Sequence, residues 1–185
     1  MKRIIVLVLI FTLLCGCSAD SSMDRVLNLR QSLLNADECS FQTQITADYG
    51  EKIYSFTMEC SCDREGNLSF AVLQPETICG ITGTITAEGG HLTFDDKALA
   101  FELLADGQVT PVSAPWLLIR TLRSGYISAC STDTEALLVQ MDDSYEENAL
   151  QLDIRLDEQA MPAQAEILYQ GRRIVSMEVK NFLIS

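Results

Sequence analysis

Histidine is almost missing from this chain: His91 is the only one in 185 residues. That removes multi-histidine metal sites and leaves any Ser–His–Asp or Cys–His chemistry with one candidate base. His91 follows Gly89-Gly90 at the start of an apolar–polar alternation, a place for a solvated turn residue rather than a general base. No Gly-x-Ser-x-Gly elbow, His-Glu-x-x-His or phosphate-binding loop occurs. The chain therefore reads as a non-enzyme that needs no cofactor, with a Cys–His pair on His91 as a third option. Basic residues are also scarce, 13 Lys and Arg against 26 Asp and Glu. An acidic surface repels phosphate backbones and stands off from anionic headgroups, which argues against nucleic acid as a partner. Only the front end holds a long apolar run, and repeats, low-complexity tracts and linkers are missing, so one domain is expected.

That front end organises the rest. Lys2 and Arg3 form a basic start, Ile4 to Cys15 is a run of apolar and small residues, and Gly16 leaves little bulk before Cys17. The layout is that of a secretory signal peptide, with an apolar run too short to span a bilayer comfortably. Its close, Leu14-Cys15-Gly16-Cys17, resembles the lipobox of bacterial lipoproteins. The resemblance implies that Cys17 is acylated, becomes the first residue, and holds the domain on the outer face of a bacterial membrane. The alternative is an ordinary signal peptide or a short uncleaved anchor. On the lipobox reading, 1–16 is the signal peptide, 17–22 a lipidated tether, and 23–185 a single domain. Without Lys2 and Arg3 the remainder carries 11 basic and 26 acidic residues, a net charge of −15.

Five cysteines fall in the domain, at 39, 60, 62, 79 and 130. Export permits disulfides. Cys60-Ser61-Cys62 is not a CxxC spacing, and residues two apart on a strand share a face. A hairpin turning near Gly50-Glu51 sets Cys39 opposite Cys62, or opposite Cys60 if the register slips by two. A Cys39–Cys62 bridge is one reading, and free buried thiols behaving as small hydrophobes are the other.

Val26, Leu29 and Leu33 repeat at helical spacing and predict an amphipathic helix over 24–35. From Cys39 the period becomes two. Cys39, Phe41, Thr43, Ile45 and Ala47 form one face, and Tyr54, Phe56, Met58, Cys60 and Cys62 the next. Leu68, Phe70 and Val72 follow after a turn at 63–67. Pro75-Glu76-Thr77 leads into a strand expected over 78–87, with Gly80 and Gly83 as places for a bulge or bend. Further strands are expected at 92–94 and 98–104. Ser113-Ala114-Pro115 is a helix start with serine as cap, running through Trp116, Leu117, Leu118, Ile119 and Leu122 to a stop at Gly125. This segment is either a core plug or a lid over an apolar cavity. Strands return at 136–141 and at Leu150-Leu152-Ile154-Leu156, and a final hairpin turns at Gly171. The loop with Asp142, Asp143, Glu146 and Glu147 lacks the spacing and glycine of a calcium-binding EF-hand. The pattern is an antiparallel meander with helices against it.

The order of lipobox, N-terminal helix, long meander, Pro-Trp helical insert and closing hairpin (Met161-Pro162-Ala163-Gln164-Ala165-Glu166-Ile167 … Gly171-Arg172-Arg173-Ile174) resembles the LolA/LolB-like outer-membrane lipoprotein carriers and receptors. The resemblance implies an α+β fold, a single curved antiparallel sheet or half-barrel. An N-terminal helix and an inserted helix would cover its concave face around a cavity for acyl chains. The inward face of the early strands carries no basic residue to match the carrier's arginine, and an anchored chain is closer to the receptor than to the shuttle. On this basis Phe41, Phe56, Met58, Phe70, Val72, Trp116 and Ile119 are expected to line a site for a lipid or other apolar ligand. The competing expectation is an envelope module with a dry core that binds another protein through its polar face or edges.

Overall fold

The computed structural model describes residues 21–105, 108–133 and 136–185. The apolar leader and Cys17 lie outside the described residues. Helix α1 spans Ser21–Asn35 and begins two residues inside the segment read as tether. Its Val26, Leu29 and Leu33 are buried while Leu27 and Leu34 stay exposed, so the apolar stripe alone faces the sheet.

Strand β1 (Glu38–Asp48) turns at 49–52 into β2 (Ile53–Asp63), which is followed by β3 (Leu68–Gln74), β4 (Thr82–Thr86), β5 (Gly89–Phe94) and β6 (Lys97–Phe101). A small pair, β7 (Leu104–Ala105) and β8 (Gln108–Val109), leads to one turn of 3-10 helix at Pro111–Ser113 and to α2 (Ala114–Ser124). Strands β9 (Tyr126–Asp133), β10 (Ala136–Asp142), β11 (Gln151–Leu156), β12 (Pro162–Tyr169) and β13 (Arg172–Ile184) complete the chain.

Eleven of these strands form one antiparallel sheet in the order β6-β5-β4-β3-β2-β1-β13-β12-β11-β10-β9. The first and last strands pair in the middle, so the sheet grows outward from β1–β13 and ends at two edges, β6 and β9, without closing. The segment carrying α2 links those edges. A connection between opposite margins must cross a face of the sheet, and α2 crosses the apolar one, packing against α1, β2 and β10. Register slips in the β1–β13, β2–β3, β9–β10, β11–β12 and β12–β13 pairings bend the strands and raise their twist.

The early strands alternate as the sequence predicts. In β1 the inward set Cys39, Phe41, Thr43, Ile45 and Ala47 is buried, and in β2 Phe56, Met58, Cys60 and Cys62, whereas Tyr54 at the turn end of the same set is exposed. Three expectations are corrected. The strand expected over 78–87 is only Thr82–Thr86, because residues 76–80 turn after a cis Gln74–Pro75 peptide. Within that segment Gly80 N–H donates to Val72 O and Val72 N–H donates to Ile81 O, so two residues oppose one. Gly80, at φ +89°, supplies the left-handed conformation that such a bulge requires. The strand expected over 98–104 ends at Phe101. A strand at Tyr126–Asp133, unanticipated from the sequence, forms the β9 edge.

Helix α2 is buried at Ala114, Pro115, Trp116, Leu117, Leu118, Ile119, Thr121 and Leu122 and stops at Gly125 as expected. Ser113 precedes it without capping it: its hydroxyl donates instead to the carbonyls of Leu103 and Thr110. Phe41, Met58, Trp116, Leu118, Leu152 and Met177 belong to one continuous cluster, a single core between the two helices and the inner face of the sheet.

Candidate functional site

The seven residues expected to line an apolar site do converge. Phe41 sits across from Cys60 and Cys60 from Phe70, Phe56 from Ile45, and Met58 from Val72, which sets five of them on one patch of the inner face. Trp116 and Ile119 come down on the same core from α2. All seven are packed, with exposures from 0% at Met58 to 8% at Phe56. The Phe41 ring stacks on Phe182 with centroids 5.3 Å apart. Trp116 is tied down as well: its Nε1–H donates to Gly66 O at 2.9 Å, and Arg120 lies over its ring at 5.3 Å. Of the two readings of this segment, Trp116 takes the place of the core plug.

Cys39 stands directly opposite Cys62, in the register set by the turn at 49–52. Both are fully buried as free thiols, and Cys60 is a third buried thiol on the same face. A hydrogen bond between the pair, reinforced by burial, raises the Cys39 thiol above its ordinary range. The same hydrogen bond, helped by the nearby Arg123 guanidinium against the effect of burial, lowers Cys62. Burial raises Cys60. Arg123 also donates from Nη2 to Asp63 O at 3.0 Å, fastening α2 over the thiols.

Apolar surface on the inner face is left uncovered further along the sheet. Phe70 pairs with Gly83, Gly83 with Leu92, and Leu92 with Leu99. Along that row exposure rises from 4% at Phe70 to 60% at Leu99. A parallel row runs Leu68, Ile85, Gly90, Phe101. The glycines let rings lie across the strands: a Cβ on Gly83 would sit 2.6 Å from the Phe70 ring, and one on Gly90 2.1 Å from the Phe101 ring. Phe94, 37% exposed, continues the face beyond Leu92. Strands β5 and β6 thus form a largely apolar ledge continuous with the core, on which Leu92 and Phe101 are half-buried, Phe94 and Leu99 lie open, and Lys97 stands opposite Phe94. Sequence reading placed 92–94 and 98–104 in strands but gave these residues no role; their inward parity was the available signal.

The outer face is polar. Across β1 and β9 to β13 it holds a groove of about 660 Å³, lined by Gln44, Gln140, Asp153, Arg155, Gln164 and Glu166 among others. Arg173 pairs with Glu166 at 2.7 Å, and Gln140 donates to Asp153 at 3.1 Å, so its polar groups are largely engaged with one another. A second groove of about 420 Å³ runs beside the acidic loop, past Tyr126, Tyr145, Glu146 and Glu147. His91 lies exposed on β5, facing Thr84 and Ala100. Among the described residues no cluster of three or more His, Cys, Asp or Glu is placed to hold a metal, and no helix is long and apolar enough to cross a membrane.

No protein-family model matches the chain, and no curated protein does. Among solved structures the chain is similar to a LolA superfamily protein, NE2245 of Nitrosomonas europaea, at 7% identity and a TM-score of 0.47, over 89% of this chain and 93% of that one. It is similar to the lipoprotein LppX of Mycobacterium tuberculosis at 8% identity and a TM-score of 0.44, over 89% and 96%. It also aligns with the Pseudomonas aeruginosa MucA/MucB complex at 13% identity and a TM-score of 0.40, over 89% of this chain and 57% of the matched one.

Proposed function

We propose that this chain is an exported, non-catalytic lipoprotein, held on the outer face of a bacterial membrane by an acylated Cys17, that binds an acyl chain or similar apolar ligand. The ligand lies along the ledge of Leu92, Phe94, Leu99 and Phe101, not under Trp116. One observation supports this placement above others. The inner face of β5 and β6 carries Leu92, Phe94, Leu99 and Phe101, with Lys97 beside them opposite Phe94, and its outer part at Phe94 and Leu99 stays exposed. Covering about 200 Å² of such surface with an alkyl chain contributes about 5 kcal/mol before the costs of association.

The test is binding of a fluorescent fatty acid to detergent-free protein, with Leu99→Asp and Leu92→Asp as variants. Saturable binding to the wild type, weakened at least tenfold by either variant, supports the ledge. Binding that is missing from the wild type, or unchanged in both variants, ends the ligand reading. The anchor is tested separately by labelled palmitate, with Cys17→Ala expected to lose the label.

The second reading, an envelope module that binds protein, is favoured by the polar groove of about 660 Å³ on the outer face. It predicts no fatty-acid binding, together with a protein crosslinked through a photoreactive residue at Gln140 or Gln164.

A further inference from the structure

The inner face of the β1–β2 hairpin carries a feature that the binding site does not use. We propose that Cys39 and Cys62 become a cross-strand disulfide, formed while the hairpin is still open to solvent and then sealed beneath α2.

The geometry carries the pairing. The two residues are direct partners in an unbroken register running from Glu38↔Asp63 to Asp48↔Ile53, with no bulge between the cysteines and the turn. Directly opposed residues on antiparallel strands have Cα atoms about 4.5–5.5 Å apart, inside the span of about 4.4–6.8 Å that a disulfide bridges. Both side chains point to the inner face and both are 0% exposed. Other partners fit worse. Cys60 faces Phe41, Cys79 sits exposed in the turn after β3, and Cys130 lies on the far edge strand β9.

The chemistry is thiol–disulfide exchange with a disulfide oxidant, such as oxidised glutathione or a disulfide-carrying oxidant protein of an exporting compartment. The Cys62 thiolate attacks one sulfur of the oxidant, whose S–S bond breaks and releases the first thiolate. Cys39 gives its proton to solvent and its sulfur attacks Cys62 Sγ, expelling the second oxidant thiolate. Two protein thiols are oxidised and one disulfide is reduced to two thiols. Burial sets the order of events: an oxidant cannot reach either sulfur once Arg123 has fastened α2 to the β2–β3 turn, whereas the hairpin is local in sequence and pairs early.

Non-reducing peptide mapping tests this. The full chain is reduced in denaturant, refolded in a glutathione redox buffer, alkylated without reductant and cut with trypsin. Cleavage after Arg30, Lys52 and Arg64 puts Cys39 in peptide 31–52 and both Cys60 and Cys62 in peptide 53–64. The expected result is one linked species of these two peptides, kept in Cys60→Ala and lost in Cys62→Ala, with the urea midpoint falling on reduction. Recovery of both peptides fully alkylated, or a link kept in Cys62→Ala and lost in Cys60→Ala, overturns the pairing. Oxidation of the folded, reduced protein as fast as of the unfolded chain overturns the timing. None of these outcomes depends on whether the ledge binds a fatty acid.

Discussion

The indole Nε1–H of Trp116 donates to Gly66 O at 2.9 Å, across fifty residues of sequence. That contact and the Arg123 bond to Asp63 O pin both ends of α2 to one turn. The turn between β2 and β3 is therefore the seat of the helix that covers the core. Trp116→Phe keeps most of the packing and strands the Gly66 carbonyl, with an expected cost of about 1–2 kcal/mol. Trp116→Ala adds a cavity and is expected to cost about 3–5 kcal/mol. Urea unfolding followed by circular dichroism measures both, since the only tryptophan is gone from each variant.

Asp63 organises that seat. Its carboxylate accepts from the backbone and the side-chain amide of Asn67, at 2.8 and 2.9 Å. Burial alone pushes this acid up, but these bonds, with the Gly66 and Glu65 amides, hold it below its ordinary 3.8. A carboxylate held low in the folded state contributes stability that is fully present above the unfolded value and lost as pH falls through the folded one. Asp63→Asn is expected to be less stable by about 1 kcal/mol at neutral pH. The difference should begin to shrink as pH falls toward 3.8 and should vanish only once pH has passed through the lower folded value. A difference independent of pH between 2 and 7 would show that the charge is not responsible.

Gly83 has no room for a side chain. A Cβ there would sit 2.3 Å from the carbonyl oxygen of His91, as well as against the Phe70 ring. Backbone cannot step aside as a flexible side chain can, so Gly83→Ala is expected to destabilise by about 1–3 kcal/mol. It should also loosen the β4–β6 ledge, raising amide exchange there before the β1–β13 centre is affected.

Arg30 joins the two helices. Its Nε donates to Leu122 O at 2.8 Å and its Nη2 to Gly125 O at 2.7 Å. These carbonyls close the C-terminal end of α2, where helices lack internal partners and favour a cation. Arg30→Met keeps the stem and removes the bonds. The expected loss is about 1–3 kcal/mol in thermal or urea unfolding, while Arg30→Lys recovers only part because one ammonium cannot span both oxygens.

Much of the fold was legible because it is written in local alternation. Period-two burial placed β1, β2 and β3, and the turn at 49–52 narrowed the residue facing Cys39 to Cys62 or Cys60, a choice the observed register settles as Cys62. Strand β9 escaped notice because an edge exposed on both faces has no reason to alternate: most of Tyr126–Asp133 is open to solvent. Cysteines and aromatics on the inner face could be assigned to that face from parity alone. Whether they would be packed or open could not, since that depends on how far α1 and α2 extend over a sheet whose width no local pattern encodes.

The amino-acid order by itself determined the antiparallel meander, the two helices, a net acidic composition and the shared face of Cys60 and Cys62, because each follows from local pattern or from composition. The tertiary structure alone decided that β1 closes on β13, that Trp116 is core, and that uncovered apolar surface lies at Phe94 and Leu99. Those outcomes rest on contacts between residues far apart in the chain. They are set by which surfaces remain after the helices have buried what they can reach.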